Sequence, residues 1–308
     1  MKAHKLFPLE LLSIFYIIFL FSQAFAFSPI KSNTFIYFEN QSYQIKEKDT
    51  LVDLAVKFNL GYLHLVLANP EIDPWVPPVG HKILLPYQIL LPEEFLFSEK
   101  EYVLINLPEF RLYHFRNKTF RVYPIGIGDE GKLPPLGKYY IRHKKEKPYW
   151  YPPPSIREED PELPEVVPPG PDNPMGNYAL YLDKGLYAIH GTNKPESIGR
   201  RTTHGCFRLY PEDIKTLFQL LPLKTPVYVV YEPYKIAIMK NKIYLQAYPD
   251  IEKKIKNPLP YLLKKLDQLT ASKGLTYQVN LLTLEKILTK PDGLIHIIGK
   301  VKEKTSSF

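Results

Sequence analysis

The chain has 308 residues, a formal net charge of +8 and a single cysteine, Cys206. One cysteine excludes an intrachain disulfide, and the length allows two domains and an appendage. The basic charge balance suits an anionic polymer. The sequence contains no helix-turn-helix, zinc finger or stacking-aromatic module, so we expect no nucleic-acid partner.

The first 26 residues have the pattern of an export signal peptide. Lys2 and Lys5 give a positive start, residues 11–21 are almost wholly apolar, and Ala24-Phe25-Ala26 resembles a cleavage site. The apolar run is shorter than the about 20 residues that an ordinary membrane span needs. We therefore expect an exported protein of the periplasm or cell envelope, with membrane contact only through this segment. An uncleaved anchor is the alternative.

Residues 42–87 are predicted to form a compact unit of two strands around two helices. Thr50 and Asp53 are spaced as a helix-capping pair, and the apolar residues that follow from Leu51 lie at helical spacing. Asn69-Pro70 ends a second helix, and residues 82–86 form the closing strand. The pattern looks self-contained, so we expect its removal to spare turnover of a soluble substrate.

This strand-helix-helix-strand order resembles a LysM module. Asp49-Thr50-Leu51, Asn69-Pro70 and Ile83-Leu84-Leu85-Pro86 stand at the matching positions. The resemblance implies binding to glycan that contains N-acetylglucosamine. A small domain that only orients its neighbour is the alternative. Trp75, set between prolines, is a candidate to stack on a sugar or to staple its loop.

Residues 100–232 change to a period of two, which predicts strands. The strands are expected at 102–106, 111–115, 119–125, 138–142, 178–182, 186–190 and 227–231. A helix begins at Pro211 and is stopped by Pro222. The domain is therefore predicted to be mainly β, a β-sandwich with one supporting helix.

The segment between Pro148 and Pro174 is too rich in proline for regular structure, since each ring fixes φ and removes a donor. We expect a rigid, extended loop over a cleft. Trp150, Tyr151 and Met175 would give this loop apolar contacts.

Cys206 follows His204 by two positions and His190 by sixteen, which makes it a candidate nucleophile with a base beside it. A buried structural cysteine is one alternative. A zinc site built from the same three residues is another, although paired cysteine spacings are absent. Arg200, Arg201, His204 and Arg208 crowd the thiol in sequence. We therefore expect its pKa to lie well below the about 8.5 of a free cysteine, with burial as the opposing effect.

These residues resemble the L,D-transpeptidase catalytic domain, the YkuD family. The resemblance rests on His190-Gly191-Thr192, on Thr203-His204-Gly205-Cys206-Phe207-Arg208, and upstream on Pro134-Pro135-Leu136-Gly137 and Pro168-Pro169-Gly170-Pro171-Asp172-Asn173-Pro174. It covers residues 101–231. The family's Thr-Pro-x-Gly segment appears here with its proline shifted into a Pro-Pro pair.

The resemblance implies a role for each of these residues. Cys206 would be the nucleophile, His190 the general base and acid, and Gly191 the backbone carbonyl that orients His190. The backbone N–H groups at His204, Gly205 and Cys206 would form an oxyanion hole. Arg208 and Thr203 would bind substrate, Arg208 by pairing with a carboxylate. His204 as the base and Arg208 as a structural salt bridge remain alternatives.

The implied reaction is exchange of an amide bond in peptidoglycan stem peptides, without metal or cofactor. Cys206 would release the terminal D-alanine, and an amine on another stem would resolve the thioester to cross-link third residues. A lipoprotein lysine, a free D-amino acid or water, the last giving an L,D-carboxypeptidase, are alternative acceptors. A papain-like peptidase is disfavoured because that family places its cysteine before its histidine. A non-catalytic peptidoglycan-binding protein remains open.

Residues 233–308 are expected to form a small α+β appendage of unknown role. A hairpin is predicted from residues 235–239 and 243–247, followed by two amphipathic helices.

Overall fold

The computed structural model describes residues 27–32 and 34–304. The predicted signal peptide, residues 1–26, lies outside this described part. Within it, no single helix is long and apolar enough to cross a membrane. The helices Leu51–Lys57 and Tyr62–Ala68 are long and apolar enough only when they are counted together, and the chain bends by 120° between them.

The N-terminal unit has short strands around two helices. Its strands are β1 (Ser28–Pro29), β2 (Ile36–Tyr37), β3 (Gln41–Gln44), β4 (Lys82–Leu85) and β5 (Ile89–Leu90), and its helices are α1 (Leu51–Lys57) and α2 (Tyr62–Ala68). β3 pairs antiparallel with β4, so the order strand, helix, helix, strand is present. Thr50 caps α1 by accepting a hydrogen bond from Asp53 N at 3.0 Å, as the spacing predicts.

The centre of the chain forms a sheet of nine strands, with β1 at one edge. The strands from this region are β6 (Glu101–Asn106), β7 (Arg111–Arg116), β8 (Thr119–Pro124), β9 (Ile127–Gly128), β10 (Gly137–Glu146), β11 (Tyr178–Leu182), β12 (Ala188–His190), β13 (Arg201–Thr203), β14 (Phe207–Arg208) and β15 (Pro226–Val230). The order in the sheet is β1-β8-β7-β6-β15-β10-β11-β12-β14, and β9 pairs separately with β13.

The prediction of a mainly-β domain is confirmed. A β-sandwich would have two separate sheets, whereas here one continuous sheet curls round to form both layers. β10 pairs with β15 along its first half and with β11 along its second, and its register with β11 shifts between Ile141 and His143. This irregularity falls where the sheet passes from one half to the other. Both halves contribute to one core, which includes Val103, Ile105, Leu180, Ile189 and Phe207.

Two helices lie between the strands: α3 (Pro154–Glu159) and α4 (Pro211–Leu220). α4 begins at the predicted proline and buries Ile214 and Leu217 in the core. α3 corrects the expectation of no regular structure in the proline-rich segment. A proline fits the first turn of a helix, because no hydrogen bond from its nitrogen is needed there.

The proline-rich segment makes two of its three expected apolar contacts. Met175 is buried, and Trp150 packs beside it in a small apolar cluster. Tyr151 is 69% exposed, so its expected packing is wrong. Trp150 also pairs with Val167 in an isolated bridge, which holds the two ends of the segment together.

The C-terminal appendage is a four-stranded sheet with two helices. Its elements are β16 (Tyr234–Met239), β17 (Lys242–Ala247), α5 (Pro258–Ala271), β18 (Leu275–Val279), α6 (Leu281–Thr289) and β19 (Ile295–Glu303), with the strand order β16-β17-β19-β18. The hairpin and both helices lie where the sequence predicts them. β18 and β19 were not expected.

A buried ionic cluster joins the three parts of the chain. The carboxylate of Glu109 in the central domain accepts hydrogen bonds from Arg111 Nη1 at 3.0 Å, from Tyr113 OH at 2.6 Å and from Lys235 of the appendage. Glu109 O lies 2.6 Å from Nε2 of His64 in α2. All these side chains are fully or almost fully buried, so they fix the three parts relative to one another.

The N-terminal unit also packs directly on the loop that leads to Cys206. Tyr62 N donates to Ile198 O at 3.0 Å, and Leu63 N donates to Gly199 O at 3.2 Å. Gly199 has φ +81°, and a Cβ there would lie 2.2 Å from Tyr62 N, so only glycine fits. The N-terminal unit therefore packs against the central domain and is not a freely tethered module.

Candidate active site

His190 ends β12, and Cys206 directly precedes the neighbouring strand β14, at one edge of the curled sheet. β12 runs parallel to β14 with Ile189 opposite Phe207 and His190 opposite Arg208. Because side chains alternate along a strand, His190 and Arg208 point to the same face of the sheet. Cys206 precedes Arg208 by two residues, so its side chain lies on the same face of the sheet, diagonal to His190.

The Cys206 thiol lies in a small apolar cluster. Its neighbours are Met175, Ala179 and Ala188, with Trp150 and Tyr181 at the margin, and Sγ donates to Leu186 O at 3.7 Å. Although the residue keeps some exposure, burial among these groups raises the pKa of the thiol; a backbone hydrogen bond from Ala188 and the charge of Arg208 oppose this rise. The prediction of a depressed thiol pKa is wrong for this structure.

The reason is that most of the expected cations turn away from the thiol. The Arg200 guanidinium lies 3.9 Å from the centre of the Tyr62 ring. Arg201 donates to Ile251 O at 2.7 Å and pairs with Glu252. Among the described residues, Arg208 is the cation whose charge lowers the pKa of the thiol, and desolvation outweighs this charge.

His190 is buried and held in one tautomer. Its Nδ1 lies 2.6 Å from Gly191 O, the contact that the resemblance implies. A carbonyl only accepts, so the proton is on Nδ1 and the lone pair is on Nε2. Burial, followed by the charge of Arg208, lowers the pKa of His190 to about 4, against hydrogen bonds to backbone at Gly191 and Met175. The ring is therefore neutral at pH 7, and Nε2 can accept a proton.

The turn before Cys206 is built by Thr203. Its Oγ1 accepts from Gly205 N at 3.1 Å and donates to Cys206 O at 2.7 Å, and the side chain is buried. Thr203 therefore braces the turn, and its part in substrate binding stays a prediction. Gly205 has φ +108°, and a Cβ would lie 2.7 Å from the Tyr187 ring.

Of the three backbone N–H groups expected in the oxyanion hole, the one at Gly205 already has an acceptor. The Gly205 N–H is already bonded to Thr203, so it does not point into free space. In the described part of the chain, the N–H groups of His204 and Cys206 have no internal acceptor. These two donors are the ones left to meet a developing oxyanion beside Cys206.

Arg208 is held beside the histidine and has no acidic partner. Its Nη1 donates to Thr202 Oγ1 at 3.3 Å, and no carboxylate among the described residues lies within ion-pair distance. Burial lowers the pKa of Arg208, with the charges of Cys206 and Glu196 acting the other way. The guanidinium remains a cation that a planar carboxylate can pair with.

Comparison with known proteins identifies the family. A family model described as the L,D-transpeptidase catalytic domain, YkuD, matches residues 100–229. The probable L,D-transpeptidase YcfS of Escherichia coli K12 is 38% identical over 72% of this chain and 75% of its own length. The chain belongs to the L,D-transpeptidase family.

Two further similar proteins carry the same description. The probable L,D-transpeptidase YbiS of Escherichia coli K12 is 41% identical over 64% of this chain and 66% of its own length. A solved catalytic domain of an E. faecium L,D-transpeptidase, acylated by ertapenem, is 24% identical over 44% of this chain and all of its own, with a TM-score of 0.35.

His204 of this L,D-transpeptidase faces the proline-rich segment and not the thiol. Its Nε2 lies 2.8 Å from Lys132 Nζ and 3.0 Å from Glu159 Oε2, and Lys132 Nζ lies 2.6 Å from Glu159 Oε1. These contacts tie α3 to the loop that carries Cys206. They favour His190 over His204 as the base. Among the described residues, no group of three or more His, Cys, Asp and Glu side chains could hold a metal ion.

Asn173 is a positioning residue that the sequence reasoning did not single out. Its buried amide donates to Pro148 O at 2.8 Å, and its Oδ1 accepts from Met175 N at 2.9 Å. It thereby closes the proline-rich segment and sets Met175 beside Cys206 and His190. The sequence signal is a single amide side chain among prolines. Because prolines have no backbone N–H, their carbonyl groups need a donor from elsewhere, and the Asn173 amide is one.

Proposed function

We propose that this protein is an exported L,D-transpeptidase that acts on peptidoglycan stem peptides through an acyl-enzyme on Cys206. The scissile bond is the amide between the third residue of a stem, an L-centre on diaminopimelate or lysine, and the terminal D-alanine. The product is a cross-link between third residues, or a stem attached to another amine.

In the first step, Cys206 Sγ attacks the amide carbonyl while His190 Nε2 takes the thiol proton. The oxyanion that forms is stabilised by the N–H groups of Cys206 and His204. As the intermediate collapses, the C–N bond breaks and the His190 imidazolium protonates the departing amine. D-Alanine leaves, and the stem remains as a thioester.

In the second step, an amine attacks the thioester and His190 Nε2 accepts its proton. The C–S bond breaks, and the proton returns to the sulfur. A stem amine gives a cross-link, a lipoprotein lysine or a free D-amino acid gives a modified stem, and water gives a carboxypeptidase.

The observation that carries this proposal is the state of His190. Its Nδ1 is fixed on Gly191 O and its pKa is lowered to about 4, so the ring is neutral and presents Nε2 as a base. The raised pKa of the thiol is compatible with this chemistry, because the base removes the proton during attack and no resting thiolate is required. Arg208 supplies a cation for a stem carboxylate.

The N-terminal unit is proposed to contact glycan as a LysM-like module. Trp75 is 59% exposed, and the Arg200 guanidinium lies 5.6 Å from the centre of its ring. An exposed indole offers a flat apolar surface for a sugar ring. The contact between Trp75 and Arg200 places this surface next to the loop that leads to Cys206.

The test is turnover of a soluble tetrapeptide stem, followed by chromatography of the products. We expect release of D-alanine and formation of a dimer, and neither product with Cys206→Ala. D-Alanine release without a dimer would identify water as the acceptor. Release that persists in the Cys206→Ala variant would reject the assigned nucleophile.

A further inference from the structure

The N-terminal unit meets the central domain at a further place, beside the start of α4. Asn59 follows α1, and its Nδ2 donates to Asp213 Oδ1 at 3.3 Å. Next to this bond, Tyr210 OH donates to Leu60 O at 2.8 Å. Asp213 is fully buried, although it carries a carboxyl group. The contact therefore joins the two parts of the chain through a buried acid and an amide.

Each of these two side chains keeps one oxygen atom without a hydrogen-bond partner. Asp213 Oδ2 and Asn59 Oδ1 are both buried, and neither accepts a hydrogen bond from another described residue. A carboxylate oxygen and an amide oxygen are both acceptors, so they cannot bond to each other. A proton on Asp213 Oδ2 makes this oxygen a donor, and Asn59 Oδ1 can accept from it. One proton thus satisfies both oxygens, each of which is costly to leave unpaired when buried.

The groups around Asp213 do not compensate a negative charge. Among the described residues, no cation forms an ion pair with its carboxyl, and its neighbour Glu212 is an exposed acid. From β8, Tyr123 is close enough for the charge of Asp213 to raise its pKa, but its buried hydroxyl forms no hydrogen bond within the described structure. The guanidinium of Arg121, on the same strand, lies 4.3 Å from the centre of the Phe27 ring.

The charge state of Asp213 follows from this environment. Burial raises the pKa of its carboxyl to about 7, the hydrogen bond from Asn59 opposes the rise, and the charge of Glu212 adds to it. In the unfolded chain the same group ionises near 3.8. Because the folded pKa is the higher one, the stability that Asp213 contributes is fully present below about 3.8 and is lost as the pH rises through about 7.

We propose that a proton shared by Asp213 and Asn59 locks the N-terminal unit onto the central domain, and that loss of this proton loosens the contact as the pH rises. An ionised Asp213 would be a buried charge with a single hydrogen bond, which favours separation of the two surfaces. The unit would stay attached through the bond between His64 and Glu109. This inference is independent of the reaction proposed for Cys206.

The loosened contact lies close to the loop that leads to Cys206. Tyr62 and Leu63, three and four residues after Asn59, donate their backbone hydrogen bonds to Ile198 and Gly199 of this loop. Loss of the proton is therefore expected to expose these two backbone amides first. The switch would thus act on how firmly the N-terminal unit holds the loop, while the buried ionic cluster remains in place.

The test is urea unfolding of the full chain at pH 5 and pH 8 for wild type, Asp213→Asn and Glu212→Gln. Asparagine keeps the size of Asp213 and stays neutral, and its amide can both donate to Asn59 and accept from it. Glu212→Gln is the matched control, because it removes an exposed carboxylate from the same turn of α4. Relative to Asp213→Asn, the wild-type unfolding constant should be on the order of a hundredfold larger at pH 8 than at pH 5. Relative to Glu212→Gln, it should change by no more than a few-fold.

A variant that exchanges the two groups tests the pairing itself. In Asn59→Asp/Asp213→Asn the acid and the amide change places, so the pair again needs one proton. Asn59 has φ +50°, a conformation that aspartate also tolerates. A pH dependence of the same sign should therefore return. Hydrogen exchange at pH 8 then locates the effect, because the amides of Tyr62 and Leu63 should exchange several-fold faster in wild type than in Asp213→Asn.

Three results would overturn the proposal. The first is a ratio of the wild-type and Asp213→Asn unfolding constants that is the same at both pH values. The second is an exchanged pair without pH dependence, or equal exchange of the Tyr62 and Leu63 amides in wild type and Asp213→Asn. The third is stabilisation of wild type, but not of Asp213→Asn, by added Mg²⁺ or Ca²⁺ at pH 8, which would mean that a cation and not a proton joins the two oxygens.

Discussion

Glu109→Gln is expected to destabilise the whole protein, because Glu109 is the only carboxylate in contact with the buried cations of Lys235 and Arg111 in the described structure. The substitution keeps the size of the side chain and removes its charge. Two buried cations would then face each other without a counter-charge. Tyr113 would also lose the charged acceptor that it now contacts at 2.6 Å.

The expected loss is about 3–5 kcal/mol, the usual cost of removing one partner from a buried ion pair. Domains are typically stable by only about 5–15 kcal/mol, so this is a large fraction. The charge state supports the argument. Burial alone would raise the pKa of Glu109, but Lys235 and Arg111 outweigh it and lower the pKa to about 2. The carboxylate therefore contributes stability above its unfolded pKa of about 4.5, and the contribution is lost as the pH falls towards 2.

The assay is urea unfolding at pH 7, read by fluorescence, with the free energy of unfolding taken from the midpoint and slope. Glu165→Gln is the matched control, because Glu165 is 86% exposed and lies 3.4 Å from the exposed Arg157. That variant should stay within about 0.5 kcal/mol of wild type. A loss below about 1 kcal/mol for Glu109→Gln would refute the view that the cluster binds the three parts together.

Three further predictions concern the site. His190→Ala should abolish acylation of Cys206 by a tetrapeptide stem in a stopped assay, whereas His204→Ala should keep measurable turnover because His204 faces Glu159; reversed effects would mean that the base is His204. Since burial raises the pKa of the thiol, alkylation of Cys206 by iodoacetamide should inflect at or above the about 8.5 of free cysteine, and an inflection well below it would contradict the burial argument. Deleting residues 27–90 should abolish turnover of a soluble stem as well as retention on sacculi, because the deletion removes the packing around Ile198 and Gly199; intact turnover would restore the view of the unit as a tether.

The features that the sequence predicted well are set by local patterns. α4 begins at Pro211, where a missing N–H costs nothing, and the central strands follow the period-two apolar residues. The contact of His190 with Gly191, which the family resemblance implied, is also between neighbours in the chain. Such signals need no knowledge of the distant chain.

The features that it missed depend on residues far apart. His204 is turned away from Cys206 by Glu159, 45 residues earlier, and no local pattern announces that contact. The predicted thiol pKa was wrong for a related reason. Arg200 and Arg201 are close to Cys206 in sequence, but their side chains contact Tyr62 and Ile251 instead. The continuity of the curled sheet also depends on the pairing of β10 with two different strands.

The central claim, an acyl-enzyme on Cys206, is tested most directly by the mass of the intact protein after incubation with a tetrapeptide stem whose free amines have been acetylated, so that the stem cannot serve as its own acceptor. We predict an increase equal to the stem without its D-alanine, absent in Cys206→Ala and reversed when an acceptor amine is added. Cross-linked product that accumulates without any adduct on the wild-type protein would contradict the account.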